Sequence, residues 1–196
     1  VSVRPANRDD LAGAAAVLAE AFRGDPWFSW LYPADVTFDE NARAWFGLVL
    51  ERAFPHGHTY LTAAGDGATN WIPPEVHFPG EDDVARAVGL LSEQIGERAQ
   101  TALGVIGQAG AAFPDTPRFH CVYVGVRPAI QGRGIGRALL GRVLEVCDRD
   151  GIPASLTSTN DANLALYRSI GFVEIAEVAI PDTGRFMRPM WREPRG

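Results

Sequence analysis

Gly132, Gly134 and Gly136 place three glycines in five positions, between the apolar run Arg118–Val126 and a helical pattern that begins near Ile135. Strand, tight glycine loop and helix, in that order, make an anion site. Glycine lets the backbone come close to a ligand and take positive φ without a Cβ clash. The helix that follows offers unpaired N–H groups at its positive dipole end. Arg127, Arg133, Arg137 and Arg142 add positive charge to the same segment, against a whole-chain formal charge of −6. A polyphosphate suits this arrangement. The dinucleotide fingerprint does not match: the glycines give GxGxG instead of GxGxxG, past mid-chain, with Arg137 or Leu139 where the third small residue belongs. Walker A fails too, because all 18 basic residues are arginines. The lack of lysine also excludes Schiff-base chemistry and a lysine base.

Other chemistry-bearing residues are sparse. Cys121 and Cys147 show neither CxxC nor Cys–His metal spacing and read as small apolar fillers in a reducing compartment. His56-x-His58 offers two ligands with no third nearby, so no metal is expected. The 24 acidic residues outnumber the basic ones, which argues against a nucleic-acid groove. No apolar run approaches the roughly 18 residues that span a bilayer. The opening Val1-Ser2-Val3-Arg4 lacks a signal-peptide layout. The expectation is a cytoplasmic monomer or homodimer with no nucleic-acid or membrane partner.

These residues need a scaffold, and 196 residues suit one domain spanning 1–196. Val1–Arg4 alternates like a strand. Asp9 and Asp10 precede a helical stripe of Leu11, Ala14, Ala15, Leu18, Ala19 and Phe22. Residues 26–38 read as aromatic-rich and irregular after Gly24-Asp25-Pro26, and Ala42, Trp45, Phe46, Val49, Leu50 and Ala53 mark a second helix. His58–Thr62 and Ala68–Ile72 flank a hairpin turn at Gly65-Asp66-Gly67. One long helical stretch is expected over 81–112, interrupted by glycines near 104–110. Arg118–Val126 suits a central strand covered on both faces. A helix through Leu139, Leu140, Val143, Leu144 and Cys147 follows, then a strand at Ala154–Ser158. A short helix near 161–169 ends at Gly171. Strands 172–179 and 185–191 close the chain across Pro181-Asp182-Thr183-Gly184.

Gln131-Gly132-Arg133-Gly134-Ile135-Gly136 resembles the Q/R-x-x-G-x-G/A pyrophosphate loop of the GNAT superfamily of N-acetyltransferases. Asn160–Phe172 is similar to the same family's N-x-x-A-x-x-L-Y-x-x-x-G-F motif, with Asn160, Leu166, Tyr167, Gly171 and Phe172 in place. Asn163 stands where alanine is usual, which leaves open which asparagine faces the cofactor. The resemblance is strong over 118–180 and extends to Val3-Arg4-Pro5-Ala6 with Asp9-Asp10. It implies an α/β (α+β) GNAT fold: a mixed, mostly antiparallel central sheet, a splayed parallel pair at 119–126 and 154–158, and helices on both faces. It also implies a cofactor-binding core at 118–180 and an acceptor-side part at 1–112.

By the same resemblance the cofactor is acetyl-CoA, acting as acyl donor. Val124, Gly125 and Val126 would pair with its pantetheine arm as an added strand. Gln131, Gly132, Arg133, Gly134, Ile135, Gly136 and Arg137 would hold the pyrophosphate, and Asn160 or Asn163 the pantetheine. Val124 N–H would polarise the thioester carbonyl. Tyr167 would be the general acid beside the sulfur, since a phenol near pKa ~10 suits an alkyl thiol. Many relatives carry a glutamate near the position of His120; a histidine there is a candidate base or a satisfied structural residue, with Tyr123, Glu75 and His77 as other candidates. In similar proteins the region between the first two helices shapes the acceptor pocket. That implies a wall from Trp27, Phe28, Trp30 and Tyr32, joined by Trp71 and Tyr123, with Asp25 or Glu75 attracting a cationic amine. Phe22, Trp45 and Phe46 sit at helical spacing and can equally pack the core. The implied activity is acetyl transfer to a primary amine of a small molecule. A protein or peptide N-acetyltransferase and a non-catalytic CoA-binding sensor are the alternatives.

Overall fold

In the computed structural model, which describes residues 1–33 and 37–196, the elements follow in chain order. They are β1 (Val3–Pro5), α1 (Leu11–Ala21), α2 (Pro26–Leu31), α3 (Phe38–Ala53), β2 (Thr59–Thr62), β3 (Gly67–Ile72), α4 (Glu81–Ile95), α5 (Arg98–Ala111), β4 (Phe119–Val126), α6 (Ile135–Asp150), β5 (Ala154–Ser158), α7 (Leu164–Ser169), β6 (Val173–Glu174), β7 (Val178–Ile180) and β8 (Arg185–Arg192). The strands form a sheet in the order β1-β2-β3-β4-β5-β8-β6, with β7 also beside β8. Among the described residues only the β4–β5 pair is parallel; the other pairs are antiparallel.

Alternation along the strands sorts the core into two layers. Leu61 and Ala68 face a cluster built from α1, α3 and α5. Trp71, Phe119, Cys121 and Leu156 face the opposite way, under Leu140, Val143 and Cys147 of α6 and Tyr167 of α7. Leu139, Leu140 and Val143 are fully buried, and each such side chain contributes about 1.5–3 kcal/mol of transfer free energy.

The central pair is what positions the site. β4 pairs with β5 over three residues, Phe119–Cys121 against Ala154–Leu156, and then parts from it. Each strand keeps its outer neighbour: β3 follows β4 to Val126, and β8 follows β5 to Ser158. A register shift in β3–β4 between Asn70 and Trp71 leaves Val122 without a partner residue. Such a bulge bends the strand and increases its twist, and it falls one residue past the last β4–β5 pair, Cys121 with Leu156.

Several elements depart from expectation for local reasons. Pro26–Leu31 is a helix: Asp25 Oδ1 accepts from Trp27 N–H at 2.9 Å and Phe28 N–H at 3.3 Å, with Pro26 in the first turn. The 81–112 stretch is two helices that break at Gly96, while the glycines near 104–110 lie within α5. Asn7, and not the Asp9-Asp10 pair alone, caps the turn ahead of α1, and Asp10 returns the bond to the Asn7 N–H. The strand expected at 172–179 is split into β6 and β7.

Gly125 sits where β4 passes under α1: a Cβ there would lie 2.9 Å from both Ala21 Cβ and Leu18 Cδ2. Gly125→Ala should therefore cost about 1–3 kcal/mol by overpacking, read as a lower urea midpoint at unchanged m-value. Asp25 also accepts the Thr159 hydroxyl hydrogen at 2.7 Å, tying α2 to the segment after β5. Asp25→Ala should cost about 1–2 kcal/mol through loss of the cap, measured the same way; an unchanged midpoint would remove the cap from the account of α2.

Candidate functional site

The parting strands open into a cavity of about 960 Å³. Residues 122–124 and 156–159 form its inner wall, α2 and α3 contribute Trp27, Phe28 and Trp45, and α4, α5 and the 113–118 segment close the far side. α5 turns Leu103, Ile106, Gly107 and Gly110 toward it, one face of a 3.6-residue helix.

The glycine loop lies beyond the end of β4. Gly132 and Gly134 have φ of +76° and +78°, a region that L-residues with a Cβ disfavour by about 1–2 kcal/mol. Nothing lies within 4 Å of a Cβ added at either position, so conformation and not crowding calls for glycine. Gln131 Nε2 donates to the Val126 carbonyl at 3.0 Å and anchors the loop to β4. Among the described residues no side chain caps the first turn of α6. A left-handed glycine pair leading into an uncapped helix start is an anion-binding concavity, so these residues fit a diphosphate.

The four arginines of the segment are not equivalent. Arg127 donates to both carboxylate oxygens of Glu20 at 2.8 Å. Arg137 donates to Ser169 Oγ at 2.6 Å, and Arg142 lies over the Tyr60 ring. Arg133 is exposed, with no ion pair among the described residues. Gly125 faces α1, as described above, and Val124 lines the cavity. Ile135 is buried against Val126 and Leu139, while the Cβ position of Gly136 lies 3.6 Å from Leu166 Cδ2.

Tyr167 lines the cavity at 7% exposure, and its hydroxyl has no hydrogen-bond partner among the described residues. Burial, with Cys121 and Asp25 nearby, raises its pKa, so the phenol keeps its proton. Cys121 lies across the same space; burial pushes its thiol up to about 12 despite a contact with Thr69 Oγ1. His120 also lines the cavity, its Nδ1 2.8 Å from Ser155 Oγ. Burial and then the Arg118 charge push its imidazole down to about 4. Of the two asparagines, Asn160 uses Oδ1 to accept from the Ala162 N–H, whereas Asn163 lines the cavity.

The acceptor-side aromatics divide. Trp27, Phe28 and Tyr123 line the cavity together with Phe22 and Trp45. Tyr123 packs edge-on to Phe46 with centroids 4.8 Å apart and accepts from Trp45 Nε1–H at 2.7 Å. Trp30, Tyr32 and Trp71 stand elsewhere. Trp30 stacks on Trp27 outside the cavity, under the Arg98 guanidinium. Tyr32 donates to Gln94 Oε1 beside a second, smaller cavity. Trp71 is in the core on the α6 face of the sheet. Three groups in or next to the cavity wall were not singled out by sequence: Arg118, Ser155 and Thr159. Their only advance signal is polar type on or beside a strand, which many structural residues share. His58 packs against Phe119, and among the described residues no group of three His, Cys, Asp or Glu is placed to hold a metal. No described helix is long and apolar enough to cross a membrane.

Comparison with known proteins matches this geometry to a family. The Acetyltransferase (GNAT) family model matches residues 37–172. The chain is 42% identical over 74 residues to the N-alpha-acetyltransferase RimI of Mycobacterium tuberculosis, covering 36% of this chain and 47% of that protein. It is 40% identical over 62 residues to the L-amino acid N-acyltransferase MnaT of Escherichia coli, 30% of this chain and 35% of that one. The chain thus spans less than half the length of either relative. Among solved structures, one described as histone acetyltransferase HPA2 and related acetyltransferase, from Corynebacterium glutamicum, superposes with a TM-score of 0.72 at 23% identity. That likeness covers 100% of this chain and 97% of the other, and concerns the fold. Splayed strands, glycine loop and a family match over more than half its length lead to one assignment: the chain belongs to the GNAT acetyltransferase family.

Proposed function

We propose that this protein transfers an acetyl group from acetyl-CoA to the primary amine of a small molecule. The observation that carries this is Tyr167: a buried phenol without a partner among the described residues, lining the cavity where β4 and β5 part. When bound, acetyl-CoA supplies a thioester whose acyl group is activated toward amines. The N–H groups of residues 132–137 hold its diphosphate with Gln131 bracing the loop, and Arg133 is the arginine left for its phosphates. The free inner edge of β4 pairs with the pantetheine arm, and Val124 N–H donates to the acyl carbonyl. Asn163 serves the pantetheine side, since Asn160 is committed to its own turn.

Tyr167 Oη holds a proton that burial prevents it from losing to water, and gives it up at the departing sulfur, the proton shed by the attacking nitrogen restoring the phenol. Cys121 stays a thiol with its pKa near 12, which disfavours an acyl-cysteine relay and favours direct attack by the amine. The apolar walls favour the neutral form of an entering amine, because desolvation penalises ammonium. Trp27, Phe28 and Tyr123 suit an aromatic or apolar body on the acceptor. Cytoplasmic operation, as a monomer or homodimer without nucleic acid, belongs to the same reading.

A likeness over the full length, looser than the family match, suggests where a search for the acceptor begins. Asp66-Gly67-Ala68, Trp71-Ile72-Pro73-Pro74-Glu75, Val124-Gly125-Val126 and the Val178-Ala179-Ile180-Pro181-Asp182 ending resemble puromycin N-acetyltransferase and its actinobacterial relatives. Aminonucleosides therefore head the panel of amines to assay by free-thiol release. The RimI match favours a second reading, N-terminal acetylation of protein, so a peptide belongs in the panel. Preference for the peptide over every small amine would overturn the first reading.

Tyr167→Phe is expected to keep acetyl-CoA affinity while lowering turnover about 10²–10⁴-fold; equal turnover of variant and parent removes the acid role. Gly134→Ala forces a Cβ into the left-handed turn at a cost of about 1–2 kcal/mol. It should weaken CoA binding roughly tenfold by calorimetry while circular dichroism stays unchanged. Undiminished binding would count against the loop.

A further inference from the structure

Arg118 just ahead of β4, His120 on β4 and Ser155 on β5 form a chain whose hydrogens can be assigned one by one. Arg118 Nε donates to Ser155 Oγ at 2.9 Å, and the same oxygen lies 2.8 Å from His120 Nδ1. A guanidinium has only donors, so Ser155 Oγ accepts from Arg118. Ser155 is fully buried, and His120 Nδ1 is the acceptor its hydroxyl hydrogen reaches among the described residues. Turned the other way, the oxygen would accept twice and its own hydrogen would be buried unpaired, which folded proteins avoid. Nδ1 is therefore the acceptor, and a neutral imidazole with its lone pair at Nδ1 carries its hydrogen on Nε2.

The surroundings keep the ring neutral. Its neighbours on β3 and β5 are Ile72 and Ser155, both uncharged, and the Phe113 ring stands edge-on at 5.4 Å. The charge against it is Arg118, which Asp115 attracts from the preceding loop. Arg118 is held by the Pro114 and Thr116 carbonyls at Nη1. Among the described residues nothing hydrogen-bonds to His120 Nε2 or Arg118 Nη2, and both side chains line the cavity.

We propose that His120 is a hydrogen-bond donor and not the base: fixed by Ser155 and Arg118 as the neutral Nε2–H tautomer, it receives an oxygen acceptor carried by the amine substrate. Ser155 and Arg118 are positioning residues, acting through the imidazole. A carbonyl or carboxylate oxygen supplies the required chemistry, and the Arg118 guanidinium favours the carboxylate. The substrate half of this rests on the acetyl-transfer reading; the tautomer half does not.

The test begins with ¹⁵N-histidine-labelled full-length protein, with His120 assigned by comparison with His120→Gln. Between pH 5.5 and 8 the expected spectrum has Nδ1 unprotonated, Nε2 protonated and no titration. A proton on Nδ1, or a midpoint between 6 and 7.5, would overturn the assignment. Ser155→Ala should lift the tautomer preference, and a spectrum unchanged by it would remove Ser155 from the device. Turnover is then compared for matched aromatic amines bearing a carboxylate, a carboxamide or a methyl group at one position. Both oxygen-bearing amines should beat the methyl analogue, with the carboxylate ahead if Arg118 takes part. His120→Leu should raise KM for them about tenfold at nearly constant kcat, as loss of one hydrogen bond does, while His120→Gln, which keeps an N–H donor, recovers most of it. A kcat fall of about 10²-fold or more in both variants is the signature of a base and would end the proposal. Absence of turnover with every amine would defeat the acetyl-transfer reading and leave the tautomer result standing.

Discussion

The site depends on a failure of strand pairing. β4 and β5 run parallel for three residues and then separate, each held on its outer side by an antiparallel partner. Backbone N–H and C=O groups buried without partners are costly, so the exposed inner edges create a demand that an extended, amide-bearing ligand can meet. The bulge at Val122 falls where β4 parts from β5, and Gln131 anchors the glycine loop to the end of β4. Two binding features are thereby aligned: a strand edge for an extended arm and an uncapped helix start for anionic groups.

Around that gap, burial pushes five side chains toward their neutral forms. Cys121, Tyr123 and Tyr167 move up, His120 moves down, and Asp25 moves up despite three hydrogen bonds. Charges stand at the margins in pairs or braces: Arg52 with Asp83, and Arg118 against backbone carbonyls. Between those margins the inner wall is uncharged, so a proton passed at Tyr167 moves among neutral donors. A phenol held firmly protonated suits that setting better than a carboxylic acid, which would be ionised at neutral pH unless strongly perturbed.

Features governed by local rules were legible in the sequence. The hairpin at Gly65-Asp66-Gly67, the strand at Ala154–Ser158 and the strand–loop–helix run through Gly136 depend on near neighbours in the chain. What was not legible was which way a side chain faces. Trp30 and Tyr32 lie in the aromatic segment that also supplies Trp27 and Phe28, yet α2 turns the first two out of the cavity; its brevity, and Pro26 at its start, made it read as irregular. Trp71 falls on the α6 face by the alternation of β3, three residues from Ala68, which faces the other layer. Asn160 caps its own turn while Asn163 lines the cavity, a division that their shared residue type does not reveal. Ser155 and Arg118 gain meaning from a pairing of β4 with β5 that no local pattern encodes.

Asp25 shows how the acceptor wall and the opened strands are held as one unit. Two backbone N–H groups of α2 and the Thr159 hydroxyl converge on it, and it is 6% exposed. An ionised carboxylate offers only acceptors, which matches three converging donors; an amide would set its NH₂ against one of them or force the threonine to turn. Burial raises the Asp25 pKa, against the opposing pull of those three bonds. The geometry it secures is specific: α2 fixes Trp27 and Phe28 on one side of the cavity while Thr159 fixes the end of β5 on the other. A small shift of either would change the distance between the aromatic wall and Tyr167, and in group transfer that separation governs how often the reacting atoms meet in line. The buried Asp25 carboxyl is therefore a spacer whose three hydrogen bonds set the geometry around it.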